Sequence, residues 1–415
     1  MLALTDDERL VAGGSDGTAM AMRIVAEAAR LLGARRLIPV ASAHIDGCLY
    51  HGDSGVRFAE RLVEGGARVA VPATLNVGAL DLLRPENVRL PAGKAAMARR
   101  LMDAYLALGC QPTWTCAPYQ AGHRPMLGED VAWGESNAVA FANSVLGART
   151  NRYGDFLDIA CALTARAPET GLHLTENRRA TVVVDTGALS AALKDLDAFY
   201  PVLGAWYGAE IGSAIGVIDG LPGGLSEDRL KALGAAAAST GAVALFHVAG
   251  TTPEAPTAAD ALGRRPPERT IRLTPDMVRA ARDRLSTRLS SVIDAVAVGS
   301  PHFSLDEVAA LERLMPREKL AVPFYVCTGR HVLDRLAAEG RIAPLERRGV
   351  VFVADTCVVV TPILKGFDGV LMTNSGKFAQ YAPANTGYGV IYGSLADCVA
   401  SAATGRVARD EGLWT

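Results

Sequence analysis

IDAVAVGSPHFSLDEVAALERL, residues 293–314, decides the fold class. Ile293–Val298 is a short apolar, β-branched run of the kind that forms a buried strand. Gly299-Ser-Pro-His302 stops it. Ser304 then stands three residues before Glu307, a capping-box signature that opens a helix. Strand, polar stop and helix recur downstream. Leu320–Val326 ends at Cys327-Thr-Gly-Arg330, Gly349–Ala354 at Asp355-Thr-Cys357, and Phe367–Thr373 at Asn374-Ser-Gly-Lys377. Strands alternating with helices imply an α/β fold with a parallel sheet. Ligands of open α/β sheets bind beyond the carboxyl ends of the strands. The stops therefore predict one crevice lined by Ser300 and His302, Cys327 and Arg330, Asp355 and Cys357, and Asn374, Ser375 and Lys377.

Upstream the alternation continues less cleanly. Thr5 and Glu8 form a second capping box, and Thr18–Leu32 reads as a helix. Arg36–Ala43 reads as a strand emptying into His44-Ile-Asp-Gly-Cys48. Gly52-Asp-Ser-Gly55 opens the helix Val56–Glu64, and Ala67–Ala73 is a strand ending at Thr74-Leu-Asn76. Helices Lys94–Leu108 and Asn137–Leu146 follow, the second introduced by Glu135 and Ser136. Between them lies Gly109–Ser136, where Pro112, Pro118 and Pro125 forbid a regular helix or central strand. A stretch of this length without regular structure is usually functional. It carries Cys110, Cys116, His123, Glu129, Asp130 and Glu135. Five residues separate the cysteines, looser than the pairs of zinc ribbons. The spacing suits an iron–sulfur site or a reduced, packed loop. In the middle, Thr181–Asp185 and Ala242–Val248 read as strands and Leu189–Leu196 as a helix. Tyr200–Ile218 carries glycine at 204, 208, 212 and 216, a period that lets a helix pack closely on a neighbour. Thr251–Pro267 reads as an exposed connection.

Composition narrows the function classes. A chain of 415 residues, half of them hydrophobic and 42 of them glycine, suits two or three domains or one elaborated α/β unit. A net charge of −2 offers no pull toward nucleic acid or anionic membrane. The acidic start lacks the apolar core of a signal peptide, and no apolar run reaches the ~18 residues of a membrane span. Seven cysteines, odd in number and scattered from 48 to 398, do not form a secreted disulfide framework. A cytoplasmic protein with reduced thiols is expected. No Walker A loop, Rossmann glycine fingerprint or His-Glu-x-x-His zinc motif is present. Gly13-Gly-Ser-Asp-Gly17 spells a nucleophile elbow, but a helical stretch precedes it where an elbow needs a strand. What remains is thiolate ligation of a soft metal or cluster, together with cationic recognition of a carboxylate or phosphate. A thiolate-bound iron with an open position is a Lewis acid for a hydroxyl, which is the chemistry of dehydration.

His44-Ile-Asp-Gly-Cys48, Pro112-Thr-Trp-Thr-Cys-Ala-Pro-Tyr119, Trp133-Gly-Glu-Ser-Asn-Ala138, Asn143, Arg149-Thr-Asn151, Ser300-Pro-His302, Asp355-Thr-Cys357 and Asn374-Ser-Gly-Lys377 together resemble the catalytic part of the aconitase X family. The matches run in order along nearly the whole chain. The resemblance implies an aconitase-like, multi-domain αβα fold with mostly parallel sheets, in parts spanning about residues 1–165, 166–285 and 286–415. It implies a hydro-lyase with an iron–sulfur cluster: 2Fe–2S is expected, with 3Fe–4S or 4Fe–4S as alternatives. Cys116 and Cys357 are the first ligands it suggests, with Cys48 or Cys110 as the third. His44, Ser54, His302 and Lys377 are its candidate catalytic residues. Asp46, Asp53, Asn137, Arg149, Ser300, Asn374 and Ser375 are the candidates for binding a small hydroxy acid. Bacterial members dehydrate cis-3-hydroxy-L-proline to Δ1-pyrroline-2-carboxylate, and archaeal members dehydrate mevalonate 5-phosphate. Archaeal relatives carry cysteine where this chain has Ser300, which with Cys48 favours the hydroxyproline reading. A cluster-free binding or scaffolding subunit is the third reading. The family also uses a small swivel domain. None is legible before Trp414-Thr415, so a separate small subunit carrying the proton acceptor is expected.

Overall fold

Helical crossovers between short apolar strands leave parallel pairing as the geometry open to most of this chain. The computed structural model describes residues 2–414 except residue 367. It divides into two units, Met1–Leu80 with Leu90–Arg179, and Asp81–Arg89 with Ala180–Thr415.

The second unit carries a five-stranded sheet in the order Val350–Val353, Phe324–Thr328, Ala295–Phe303, Val370–Thr373, Gly389–Tyr392, with every pair parallel. The chain lays strands outward from Ala295–Phe303 on one side, then returns to lay the last two on the other. That reversal is a topological switch point, where an open α/β sheet leaves a crevice at the strand ends. Val296, Val298, Phe324, Phe352 and Met372 build the core with Val308 and Leu311, which share one face of helix Leu305–Leu314.

The central strand is longer than its sequence suggests. Predicted to stop at Val298, it runs through Gly299-Ser-Pro-His302 to Phe303, buried throughout, with a register break between Val298 and Phe303. Gly299 holds φ +93°, and a Cβ there would lie 2.0 Å from the Cys327 carbonyl oxygen, so only glycine lets the strands stay this close. Past the break, the Thr328 hydroxyl donates to the Phe303 carbonyl at 2.7 Å and keeps the pair joined. The strand expected over Phe367–Thr373 is found at Val370–Thr373, and Phe367 lies outside the described residues.

The same unit holds a second parallel sheet, in the order His247–Val248, Gly216–Asp219, Val182–Asp185, Arg269–Arg272. The apolar stretch read over Tyr200–Ile218 is two elements. Helix Phe199–Ile211 ends at Gly212, with φ +64°, and Gly216 begins a strand. Gly204 and Gly208 seat that helix against Glu227–Thr240. A Cβ on Gly204 would lie 2.2 Å from the Leu233 carbonyl oxygen, and one on Gly208 2.5 Å from that of Ala237. Strands Arg269–Arg272 and Gly389–Tyr392 escaped prediction: the first is mostly polar and exposed, and the second is a four-residue run behind a glycine.

In the first unit, Ala73–Leu75, Ala43–Ile45 and Ala132–Trp133 form a parallel sheet with Ala43–Ile45 in the middle. The strand expected over Arg36–Ala43 is split. Leu37–Pro39 pairs antiparallel with Arg166–Pro168, and Ala43–Ile45 enters the parallel sheet. Pro39 has no N–H to continue a ladder. Pro72 likewise shortens the strand expected over Ala67–Ala73 to Ala73–Leu75. Gly109–Ser136 is irregular as expected, broken only by a 3-10 turn at Pro118–Gln120 and the two-residue strand. Among the described residues, no helix is long and apolar enough to cross a membrane.

Gly204→Val should force helix Phe199–Ile211 off its neighbour at a cost on the order of 1–3 kcal/mol. Urea unfolding checks this: the midpoint falls, whereas the exposed Gly223→Val leaves it near the wild-type value.

Candidate functional site

Strand register builds the candidate residues of the first unit. In the three-stranded sheet His44 pairs with Thr74 on one side and with Trp133 on the other. Paired residues in a sheet project to the same face, so a histidine is fixed between a hydroxyl and an indole. The Gly109–Ser136 loop brings His123 to the same hydroxyl. Thr74 Oγ1 lies 2.8 Å from His44 Nδ1 and 2.7 Å from His123 Nδ1. The Trp133 ring stands 5.6 Å from the His44 ring and 5.1 Å from that of His123, centroid to centroid. Burial holds the His44 imidazole down to about 3, with the neighbouring His123 pushing the same way, and holds His123 down to about 4. Both rings are neutral near pH 7.

Beyond His44 the chain turns at Asp46-Gly-Cys48. Asp46 accepts a hydrogen bond from Asn76 Nδ2 at 2.5 Å. The turn is pinned by Asp158, whose Oδ2 accepts from the Asp46 and Gly47 amides at 2.7 and 3.2 Å. Burial pushes the Asp158 carboxyl up to about 8. The Cys48 thiol is fully buried, within 3.3–3.4 Å of the carbonyl oxygens of Asn76 and Ile45. That contact needs the protonated thiol as donor. Burial, Asp46 and Asp158 all push Cys48 well above the ordinary thiol range, and burial does the same at Cys110. Cys116 keeps 6 % exposure, and Asn137 Nδ2 donates to its carbonyl at 2.8 Å. Asn137 therefore supports the cysteine loop. Asn143 exchanges hydrogen bonds with the Thr150 backbone at 2.9 and 3.0 Å, and Arg149 donates to the His173 carbonyl at 3.0 Å. Asp53 and Ser54 occupy the exposed first turn of helix Asp53–Glu64, where Asp53 accepts from Tyr50 at 2.9 Å.

The switch point of the five-stranded sheet gathers the candidate residues of the second unit. Ser300 and His302 lie in the buried extension of the central strand, and Asn374-Ser-Gly-Lys377 leaves the adjacent strand. Ser375 caps helix Gly376–Thr386, accepting from the Phe378 amide at 3.1 Å and donating to the Ser300 carbonyl. His302 Nε2 donates to the Thr356 carbonyl at 3.2 Å. Burial brings His302 down to about 3, and the positive charges of Lys231 and Lys377 act in the same direction. Cys357, with 7 % exposure, follows Asp355, a residue held at φ +62°. Arg330 grips Asp355 through both carboxylate oxygens, at 2.6 and 2.8 Å. It thus braces this turn from the end of the neighbouring strand. Cys327 is fully buried inside its strand, not beyond it. Ser300, Asn374 and Ser375 line a cavity of about 260 Å³ with Asp228, Lys231 and Glu307.

Lys231 is the principal residue the sequence did not disclose. Only 1 % exposed on helix Glu227–Thr240, it pairs with Asp228 at 2.8 Å and Glu307 at 2.5 Å and donates to the His302 carbonyl at 3.2 Å. Its one signal was the i,i+3 spacing to Asp228, which is common on exposed helix faces. Thr74, His123 and Trp133 were also missed as site residues, because register is invisible in a single strand. Within either unit, among the described residues, no three histidine, cysteine or carboxylate side chains converge as a metal cage.

Family models match three consecutive segments: aconitase X first domain over residues 1–176, second domain over 180–283 and third domain over 293–404. The chain is 45 % identical over 406 residues to a cis-3-hydroxy-L-proline dehydratase of Pseudomonas aeruginosa, covering 96 % of this chain and 70 % of that protein. It is 41 % identical to the enzyme of the same name from Hypocrea jecorina, covering 97 % and 69 %. A phosphomevalonate dehydratase large subunit of Methanothermobacter thermautotrophicus is 38 % identical, covering 93 % and 95 %. Among solved structures, the holo-form of Thermococcus kodakaraensis aconitase X superposes with a TM-score of 0.86 at 33 % identity, covering 97 % of this chain and all of that one.

Lys231→Met leaves two half-buried carboxylates without their cation, so a loss of about 3 kcal/mol in unfolding free energy is expected, and Lys231→Arg should lose less. Asp158 gives a pH signature. A carboxyl raised by folding contributes stability at low pH that is lost as pH rises toward and through its folded value. Melting temperatures of wild type and Asp158→Asn, compared from about pH 5 to about pH 9, should show a decline in wild type that the variant lacks.

Proposed function

The chain belongs to the aconitase X family, and from that premise we propose that it is a hydro-lyase that dehydrates cis-3-hydroxy-L-proline to Δ1-pyrroline-2-carboxylate. The observation that carries the substrate is the state of the cations near the site. In the second unit Arg330 is held by Asp355, Arg229 is paired with Asp195 and Asp197, and Lys231 with Asp228 and Glu307, with Arg313 the remaining cation lining the cavity. A phosphate needs several such donors. A zwitterionic imino acid needs one cation and one anion, and Lys377 and Asp46 are the residues we assign to its carboxylate and ring ammonium. The 45 % identity to a hydroxyproline enzyme against 38 % to a phosphomevalonate enzyme supports the same choice.

An iron–sulfur cluster belongs to this reading, with 2Fe–2S as the proposed form. Cys116 and Cys357 fit it as ligands, with Cys48 or Cys110 as the proposed third: Cys110, Cys116 and Cys357 are soft donors on irregular backbone that keep slight exposure, unlike the fully buried Cys161, Cys327 and Cys398. Once bound, the cluster supplies a Lewis-acidic iron for the departing hydroxyl. The protein's own residues do the rest. Asn137 and the Arg330–Asp355 pair fix the two cysteine-bearing turns. The Lys231 network holds the backbone of His302, and Ser375 fixes that of Ser300. A small partner subunit is proposed to complete the enzyme and to supply the base for the α-proton, in line with the large-subunit name of the phosphomevalonate relatives.

Anaerobically reconstituted protein with its small partner should convert cis-3-hydroxy-L-proline and leave 5-phosphomevalonate untouched. Cys116→Ser and Cys357→Ser should each lose visible charge-transfer absorption and at least about 100-fold in kcat. Turnover of phosphomevalonate alone would reverse the assignment, and undiminished absorption in both variants would remove these ligands.

A further inference from the structure

We infer that His44, Thr74 and His123 form a charge-neutral proton relay, an inference that rests on the dehydratase reading only for the use made of the proton. A threonine hydroxyl carries one hydrogen. Thr74, 2 % exposed, makes its two side-chain hydrogen bonds to His44 Nδ1 and His123 Nδ1, at 2.8 and 2.7 Å, and no other among the described residues. The hydroxyl hydrogen must therefore go to one ring, and the other ring must donate to the oxygen. Two neutral imidazoles so joined hold their protons on opposite nitrogens. One presents a bare Nε2 and the other an Nε2–H. Both Nε2 atoms are buried and have no partner among the described residues. A buried polar atom left unsatisfied costs about 1–3 kcal/mol, so each is built to meet a polar group from outside the fold.

The relay balances without forming a charge. A proton taken up at the bare Nε2 of one ring releases that ring's Nδ1 proton to Thr74. Thr74 passes its own hydrogen to Nδ1 of the second ring, and the second ring gives up its Nε2 proton. One proton enters, one leaves, and the two tautomers exchange. Burial makes this the accessible route, since an imidazolium in either ring is disfavoured. Dehydration needs such a device, because hydroxide leaves as water only when a proton reaches it. The fully buried Trp133 ring packs tilted at 57° against both imidazoles. Thr74 is thus a relay-positioning residue.

Thr74→Val keeps the shape and removes the hydroxyl. In the cluster-loaded enzyme with its small partner it should lower kcat by about 100-fold, with KM changed less than about twofold, and Thr74→Ser should restore most of the rate. His123→Gln is a second variant, because an amide can bond to Thr74 but cannot pass a proton, and the same selective loss in kcat is expected. Nitrogen-15 NMR of histidine-labelled protein reads the geometry without substrate: wild type and Thr74→Ser should show these two rings as opposite tautomers, and Thr74→Val should not. Identical tautomers in the wild type, or full kcat in folded Thr74→Val, would overturn the relay. If cis-3-hydroxy-L-proline is not a substrate, the NMR result still decides the relay, so the two failures are distinguishable.

Discussion

Parallel pairing is the constraint on which the rest depends. It puts every strand's carboxyl end on the same edge of a sheet, so whatever follows the strands gathers there. In the five-stranded sheet the gathering point is the reversal between Ala295–Phe303 and Val370–Thr373, which sets Ser300 and His302 beside Asn374, Ser375 and Lys377. In the three-stranded sheet pairing acts through register. His44, Thr74 and Trp133 are far apart in the chain and level across three strands. A slip of one residue would turn His44 to the opposite face and dissolve the arrangement.

Desolvation then decides which protonation states these groups adopt. The site histidines lose their charge on burial, and Asp158 is pushed toward its neutral form while it pins the Asp46–Cys48 turn. Lys231 shows the opposite outcome. Burial alone would lower it, but Glu307 and Asp228 more than offset that penalty and keep the ammonium charged. A buried cation held by two carboxylates is a stiff joint. It ties helix Glu227–Thr240 to the strand end that carries His302 and to helix Leu305–Leu314, so the backbone of a site residue is set by an ion pair.

The fold class was legible because its signals are local. The Thr5–Glu8 and Ser304–Glu307 capping boxes form as read, and the prolines of Gly109–Ser136 keep that stretch irregular. Strand ends were legible less well. Gly299 looked like a stop but permits a close approach that carries the strand four residues further. Gly204 and Gly208 seat a helix, whereas Gly212 and Gly216 of the same period end it and begin a strand. One residue type served four purposes, and spacing alone could not separate them.

The candidate site divides in the same way. Sequence motifs singled out His44, Asn137, Ser300, His302, Ser375 and Cys357, because polar and sulfur-bearing residues clustered at strand ends stand out against an apolar background. The motifs could not say that Arg330 is spent on Asp355, that Asn137 supports the Cys116 backbone, or that Lys231 lies buried beneath His302. By itself the sequence determined which segments become strands and helices, the parallel architecture, and the chemical types delivered to the sheet edge. Tertiary structure alone decided which of those groups meet, since register and burial join residues tens to hundreds of positions apart and no local pattern encodes such a pairing.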